Sequence, residues 1–475
     1  MHTLEQLRSG ALTGITRLSL RCGLTEFPRE IFALADSLEI LDLTGNALTA
    51  LPDDLHRLHK LSILFCSENQ FTELPASLGA CPALSMVGFK ANRIRTVPAT
   101  ALPAQLRWLV LTDNAIEQLP EALGERPLLQ KLMLAGNRLR ALPASMAQLD
   151  RLELLRISSN RLDALPDWLL SLPRLRWLAY AGNPFCQQRE NALAHTPSAA
   201  IAWSSLRIGD KLGEGASGVI HRAEWVQAPP PDGNHLHGDH SMGGSAGRDK
   251  DEAGADGADG AAGANHAGDA DDAGIVASRP VAVKLFKAAM TSDGSPLSEM
   301  AACLGAGPHP NLIPVLGHIE EHPGGANGLV MSLIDPAFHN LAGPPSFASC
   351  TRDIYQDGKR FDLKTALAIA RGIASAAAQL HSRGILHGDL YGHNILHDEH
   401  GHTLLGDFGA ASFYDPAGPQ AAALQTLEVR AFGCLLEELL DRCDSAPAPL
   451  RALQTACLQG QPRFTEIQQQ LDKHV

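Results

Sequence analysis

Seven asparagines punctuate the first half of the chain at an almost fixed step. Asn46, Asn69, Asn92, Asn114, Asn137, Asn160 and Asn183 lie 23, 23, 22, 23, 23 and 23 residues apart. Each closes a phrase of the form LxxLxLxxN, as in Leu38, Leu41, Leu43 and Asn46, or Leu152, Leu155, Ile157 and Asn160. Most are followed by a leucine, two spacers and Leu-Pro, for example Leu48, Leu51 and Pro52. An earlier copy with Leu18 and Leu20 carries Gly23 at the asparagine position. One such unit cannot bury its own leucines, but stacked units bury them against each other in a continuous core. The asparagine amides are then expected inside, satisfying backbone groups at the turn that leaves each strand. Residues 1–14 are expected to form an amphipathic cap, and Gly182-Asn183-Pro184-Phe185 the last coil.

This pattern resembles the leucine-rich repeat, specifically its 23-residue LxxLP kind, over roughly residues 15–190. Strand alternation turns the positions between the core leucines to the concave side. They include Ile40, Ile63, Phe65, Met86, Trp108, Val110, Met133, Leu154 and Trp177, an unusual apolar load for a solvated sheet. Two readings follow. Either neighbours and the second half of the chain shield these residues, or they form a protein-binding face, with Phe65, Met86, Trp108, Val110, Met133 and Trp177 as its contacts.

The chain of 475 residues is too long for one core. A connector is expected at 191–205 and a second domain from Leu206 to the end. A stretch from about Gln227 to Arg279, rich in Gly, Ala, Asp and His, interrupts it. It has too little apolar surface to offset its ordering entropy, so a disordered insertion is expected at 227–279. His235, His237, Asp239 and His240 within it could chelate a metal, although a solvated polar loop is the plainer reading.

Five marks flank and follow the insertion. Gly213-Glu214-Gly215-Ala216-Ser217-Gly218 lies between two apolar runs, and Val219, Ile220 and Ala223 continue a strand rather than opening a helix. Glycines there would let backbone lie close over phosphates. Val281-Ala282-Val283-Lys284 reads as a strand ending in a lysine that needs an anionic partner, and Glu299 on the next helix is the best carboxylate. His387-Gly388-Asp389-Leu390-Tyr391-Gly392-His393-Asn394 follows a long apolar helix, and Asp407-Phe408-Gly409 stands thirteen residues after Asn394.

In this order the marks resemble the eukaryotic-like protein kinase superfamily, from about Leu206 to Val475. Repeats followed by a kinase resemble bacterial leucine-rich-repeat protein kinases. The resemblance implies a fold class of α/β: a leucine-rich-repeat solenoid over 1–190, then a two-lobed α+β kinase fold over 206–475. It implies ATP and Mg²⁺ as cofactors. Gly213, Gly215, Ser217, Gly218, Ile220, Ala282 and Lys284 would bind the nucleotide. Met331 would be the gatekeeper, with the backbone of Ser332 and Ile334 on the adenine edge. Asp389 would be the base, Lys284 and Glu299 the phosphate-side ion pair, and Asn394 and Asp407 the metal ligands.

Four departures stand out. Gly388 replaces the arginine before the aspartate, so activation-loop phosphorylation is expected to be unnecessary. Tyr391 stands where serine/threonine kinases carry a lysine. The segment from Asp407 to Glu428 is short and lacks Ala-Pro-Glu. Glu428 stands where an aspartate usually anchors the catalytic loop.

A net charge of −13 argues against a general nucleic-acid binder. Nine scattered cysteines without a CxxC pair read as reduced thiols in the cytoplasm. The start has no apolar core of signal-peptide length and no stretch is long enough to span a membrane. Secretion by another route would leave no such mark. The expected activity is transfer of the γ-phosphate of ATP to protein hydroxyls, with the repeats recruiting a partner or substrate. The alternatives are a nucleotide-binding scaffold acting through the repeats, and small-molecule phosphotransfer.

Overall fold

The computed structural model describes residues 2–215, 217–226, 278–287, 290–291 and 293–474. Each repeat phrase forms a three-residue strand: β1 (Arg17–Ser19), β2 (Ile40–Asp42), β3 (Ile63–Phe65), β4 (Met86–Gly88), β5 (Trp108–Val110), β6 (Lys131–Met133), β7 (Leu154–Arg156) and β8 (Trp177–Ala179). The eight pair in chain order as one parallel sheet. The middle residue of every strand, from Leu18 to Leu178, is buried in the solenoid core. The asparagines form the expected ladder. Asn69 Nδ2–H donates to the Leu43 and Cys66 carbonyls at 2.9 and 3.1 Å, and its Oδ1 accepts from the Leu48 N–H at 2.9 Å. Asn160 repeats the arrangement with Leu134, Ile157 and Leu139. Helix α1 (Leu4–Arg8) caps the first coil, closed by reciprocal bonds between Thr3 and Gln6. Helix α2 (Asp167–Leu170) belongs to a late coil.

Residues 191–205 are not a plain connector. Helix α3 (Gln187–Ala194) runs into them, and β9 (Ala200–Ala202) follows. Ile201 is an apolar residue with a core to join, and it packs with Val281, Val283 and Val330. The next strands are β10 (Leu206–Glu214), β11 (Gly218–Val226), β12 (Ser278–Phe286), β13 (Val315–Glu320) and β14 (Gly328–Ser332). They form one sheet in the order β10-β11-β12-β14-β13-β9, with β9 parallel to β13. Ser278 and Arg279, expected at the end of the insertion, pair with Val226 and Trp225, because the antiparallel ladder runs to the end of β11. The rest of that insertion, with His235, His237, Asp239 and His240, lies outside the described residues.

Helix α4 (Pro296–Ala306) starts on a Ser295 cap with proline in its first turn, where a missing N–H costs nothing. The remaining lobe is helical: α5 (Leu363–Ser382), α6 (Ala421–Leu440), α7 (Ala448–Leu458) and α8 (Phe464–Leu471). Asp362 caps α5 by accepting from the Thr365 N–H at 2.7 Å. Short strands hold the loops between them: β15 (His339–Asn340), β16 (Ile385–Leu386), β17 (Ile395–His397), β18 (Thr403–Leu405) and β19 (Ser412–Phe413).

The two halves share their cores. Leu386, Tyr414, Leu424 and Leu427 join the solenoid core, while Met133, Leu154 and Trp177 join the core of the helical lobe. This corrects the expectation of an open partner-binding face. Trp177 is 1 % exposed. Its ring stacks on Tyr391 with centroids 4.3 Å apart and planes 10° apart. Met86 and Met133 are buried. Phe347 packs near Phe65 and Trp108, at 5.7 and 6.2 Å between centroids, and Val110 lies against the helical-lobe core. Apolar surface on the sheet has found apolar surface in the same chain. Among the described residues no helix is long and apolar enough to cross a membrane.

Candidate active site

The glycine-rich segment is the tip of the β10–β11 hairpin, where the Gly215 N–H donates to the Gly218 carbonyl at 2.9 Å. Gly213 and Gly215 face open space, whereas a Cβ on Gly218 would sit 2.5 Å from the Leu285 carbonyl. Gly218 therefore serves the close approach of β11 to β12. Ser217 is buried beside it. Lys287 ties the tip to β12 by donating to Glu214 at 2.7 Å and to the Gly215 carbonyl at 3.1 Å. Lys211 and Lys287 hold the Glu214 carboxyl down to about 2.

Lys284 leaves the end of β12 and meets Glu299 of α4 in an ion pair, with side chains 14 % and 2 % exposed. Burial disfavours the ammonium, but Glu299 and Asp407 outweigh it and raise the Lys284 pKa, so the lysine stays charged. Burial pushes the Glu299 carboxyl up against the pull of Lys284. A cavity of about 420 Å³ is lined by Ile220, Lys284, Glu299, Met331, Asp407 and Phe408, and extends past Met331 between α4 and β13. Gly213, Gly215, Ala282, Ser332 and Ile334 do not line it. Ala282 lies opposite Met331 in the β12–β14 register. The Ser332 N–H is already donated to the Pro314 carbonyl at 2.9 Å.

The segment after α5 is held from several sides. His387 is fully buried, bonds the Gly406 carbonyl at 2.9 Å and packs on Phe408. Glu428 of α6 accepts from the Gly388 N–H at 2.9 Å and bonds His381 at 2.7 Å. Burial works to raise the Glu428 pKa, but His381, His387 and the Gly388 N–H lower it below the ordinary value. Asn394 Nδ2 donates to the Asp389 backbone carbonyl at 2.9 Å and to its Oδ2 at 2.8 Å. Asp407 takes the left-handed conformation at φ 54°, and its Oδ1 accepts from the Gly409 N–H at 3.2 Å.

The structure adds residues that sequence reasoning missed. Arg156 of β7 reaches across, bonds Asp389 Oδ1, and donates to the Gly388 carbonyl at 3.1 Å and to Asp293 at 2.7 Å. Its side chain is 1 % exposed. Burial opposes its charge, but Asp389 and Asp293 raise its pKa. Burial raises the Asp389 pKa, with Arg156 pulling the other way. The available signal was a charged residue in an apolar row, since Arg156 lies in register between Met133 and Ala179.

Two departures of the loop find their causes here. Gly388 has φ 73°, and a Cβ would meet the Ala410 carbonyl at 2.5 Å and the Leu178 carbonyl of β8 at 2.8 Å. A side chain there would collide with the repeats. Tyr391 is the partner of Trp177, whose Nε1–H donates to the Leu390 carbonyl at 3.2 Å.

The donor set fits a hard divalent ion. Asn394 commits its amide nitrogen to Asp389, which leaves its oxygen, and the Asp407 carboxylate is exposed beside the cavity. Among the described residues no three His, Cys, Asp or Glu side chains could hold a metal ion by themselves.

Residues 271–434 match the family described as protein kinase domain, and residues 127–185 match leucine rich repeat. The chain carries leucine-rich repeats and a protein kinase domain. The kinase match contains Lys284, Glu299, Met331, Asp389, Asn394 and Asp407, while the β10–β11 hairpin precedes it. Similar curated proteins from Arabidopsis thaliana include two described as probable serine/threonine-protein kinases. One is 29 % identical over 28 % of this chain and 24 % of its own length, the other 30 % over 22 % and 13 %. Mitogen-activated protein kinase kinase kinase 17 is 31 % identical over 19 % of this chain and 23 % of its own. The chain thus matches a quarter or less of each relative's length.

Proposed function

We propose that this chain transfers the γ-phosphoryl group of ATP to a hydroxyl of a protein, serine or threonine by its likeness to the relatives. The observation that carries the reading is the Lys284–Glu299 ion pair beside Asp407 at one cavity. Phosphoryl transfer asks a protein mainly for positioning and charge neutralisation. Lys284 orients the phosphates, and Glu299 fixes the lysine. Mg²⁺, held by Asp407 and the Asn394 oxygen, would neutralise charge on the phosphates. Asp389 takes the proton of the acceptor hydroxyl as its oxygen bonds to the γ-phosphorus, and the β–γ bridging oxygen leaves with ADP. Ile220 would cover the nucleotide and Met331 would lie along the adenine, while Gly213, Gly215, Ser217, Gly218, Ala282, Ser332 and Ile334 stand outside the cavity.

The repeats fit the LxxLP kind, because Pro28, Pro75, Pro98, Pro120 and Pro143 each open a 3₁₀ turn. In that respect the fusion resembles bacterial leucine-rich-repeat kinases. The nine cysteines are all unpaired, which supports a reducing, cytoplasmic setting. A protein partner of the concave face at Phe65, Met86, Trp108, Val110, Met133 and Trp177 would have to displace the kinase domain.

The test is Mg-ATP binding and labelled γ-phosphate transfer by the full chain, by Lys284→Ala and by Asp407→Ala. Transfer lost in both variants supports the proposal. Binding without transfer under every condition favours the scaffold reading, which has one observation behind it: both carboxylate oxygens of Asp389 are already hydrogen-bonded.

A further inference from the structure

Arg156 and Asp389 are 233 residues apart in the chain and meet across the two domains. A general base must bring its carboxylate within hydrogen-bond reach of the acceptor hydroxyl. Here Oδ2 accepts from Asn394 and Oδ1 from Arg156. Arg156 could instead complete the site, since Tyr391 stands where serine/threonine kinases carry a lysine. Its geometry argues against that role. The guanidinium is 1 % exposed and bonds Asp293, Asp389 and the Gly388 carbonyl, so it presents no open face to a phosphate. Beside it, Trp177 lies flat on Tyr391, and the Leu178 carbonyl closes on Gly388. Contacts from β7 and β8 therefore reach residues 388–391, where an acceptor hydroxyl must approach, and leave the Asp389 side chain 17 % exposed. The nucleotide side is meanwhile assembled, with Lys284 and Glu299 paired.

We propose that the concave face of the last repeats is an intramolecular docking surface for the kinase catalytic loop, and that Arg156 masks the base Asp389 while the nucleotide side stays formed. The occupant of this face is the chain's own segment 388–391. The inference rests on the reading of Asp389 as the base of a protein kinase. It accounts for two departures at once: Gly388 leaves room for β8, and Tyr391 gives Trp177 a platform.

The experiment compares the full-length wild type with Arg156→Ala and, separately, Phe347→Ser. The second variant loosens the same interface at Phe65 and Trp108, away from the base, and keeps the question open to refutation if Arg156→Ala fails to fold. Labelled phosphate transfer to a generic protein substrate and Mg-ATP affinity are measured for each. Transfer is expected to rise about 5- to 150-fold in Arg156→Ala, the usual range for coupling between two sites, and by a smaller factor in Phe347→Ser. Mg-ATP affinity is expected to stay within about twofold of wild type, below that coupling range. Equal or lower transfer in both folded variants overturns the masking role. Silence of all three proteins with Mg-ATP binding intact also overturns it, and leaves nucleotide binding standing. Absence of Mg-ATP binding removes the kinase reading and the masking with it.

Discussion

The Lys284–Glu299 pair beside Asp407 and the carboxylate of Asp389 balance their charges differently. Lys284, Glu299 and Asp407 come from the domain itself and meet at an open cavity. Asp389 finds its cation outside the domain, on β7 of the solenoid, and the contact is buried. A charge pair inside one domain forms whenever that domain folds. A buried pair shared between domains forms only when they dock, and it leaves unpaired charges when they part. The repeats thus bond Asp389 itself, whereas toward Glu299 they bond its neighbours, Asp293 through Arg156 and Ser298 through Glu190.

The largest expected effect separates the two charge groups chemically. Asp389→Asn should lower phosphate transfer by about 10²- to 10⁴-fold. Mg-ATP affinity, read by titration, should hold. A parallel loss of affinity would break the distinction. Next comes the shared aromatic contact. Trp177→Ala should cost about 3–5 kcal/mol in urea unfolding of the full chain, as a fully buried aromatic lost from a packed core. Phe65→Ala, half-buried at the rim, should cost less. Equal costs would mean that docking is spread evenly along the face.

Gly388→Ala is expected to cost about 1–3 kcal/mol from its left-handed backbone alone. The 2.5 Å and 2.8 Å approaches to Ala410 and Leu178 should add to that. Faster amide exchange over residues 387–394 would place the damage at the interface, whereas a uniform change would not. The smallest effect concerns the anchor of the loop. Glu428 has a folded pKa below its ordinary 4.5, so it stabilises the fold in full above that value. That contribution disappears as the pH drops through the folded value. Glu428→Gln should flatten the acid limb of the stability curve below pH 4.5 and leave the alkaline limb alone.

Much of this molecule is written locally. The asparagine spacing carries the solenoid because each repeat packs on copies of itself, so the same phrase recurs wherever the same contact does. The ladder from Asn69 to the Leu43 and Cys66 carbonyls is one example. Lys284 and Glu299 were also legible, being 15 residues apart on a strand and the next helix. The segment 191–205 was less so. Ile201 in β9 packs on strands that begin far later in the chain, and no local pattern announces that. The apolar concave residues were visible as a stripe, but a stripe does not say what covers it.

The sequence by itself determined the repeats, the order of the kinase marks and the pairing of Lys284 with Glu299. These follow from periodicity and from short-range pairing of strand, loop and helix. Only the tertiary structure decided that Arg156 sits on Asp389, that Trp177 lies on Tyr391, and that Gly388 is small because Leu178 is beside it. Those contacts join residues more than 200 positions apart, and they depend on the shapes of two finished surfaces rather than on any pattern within either one.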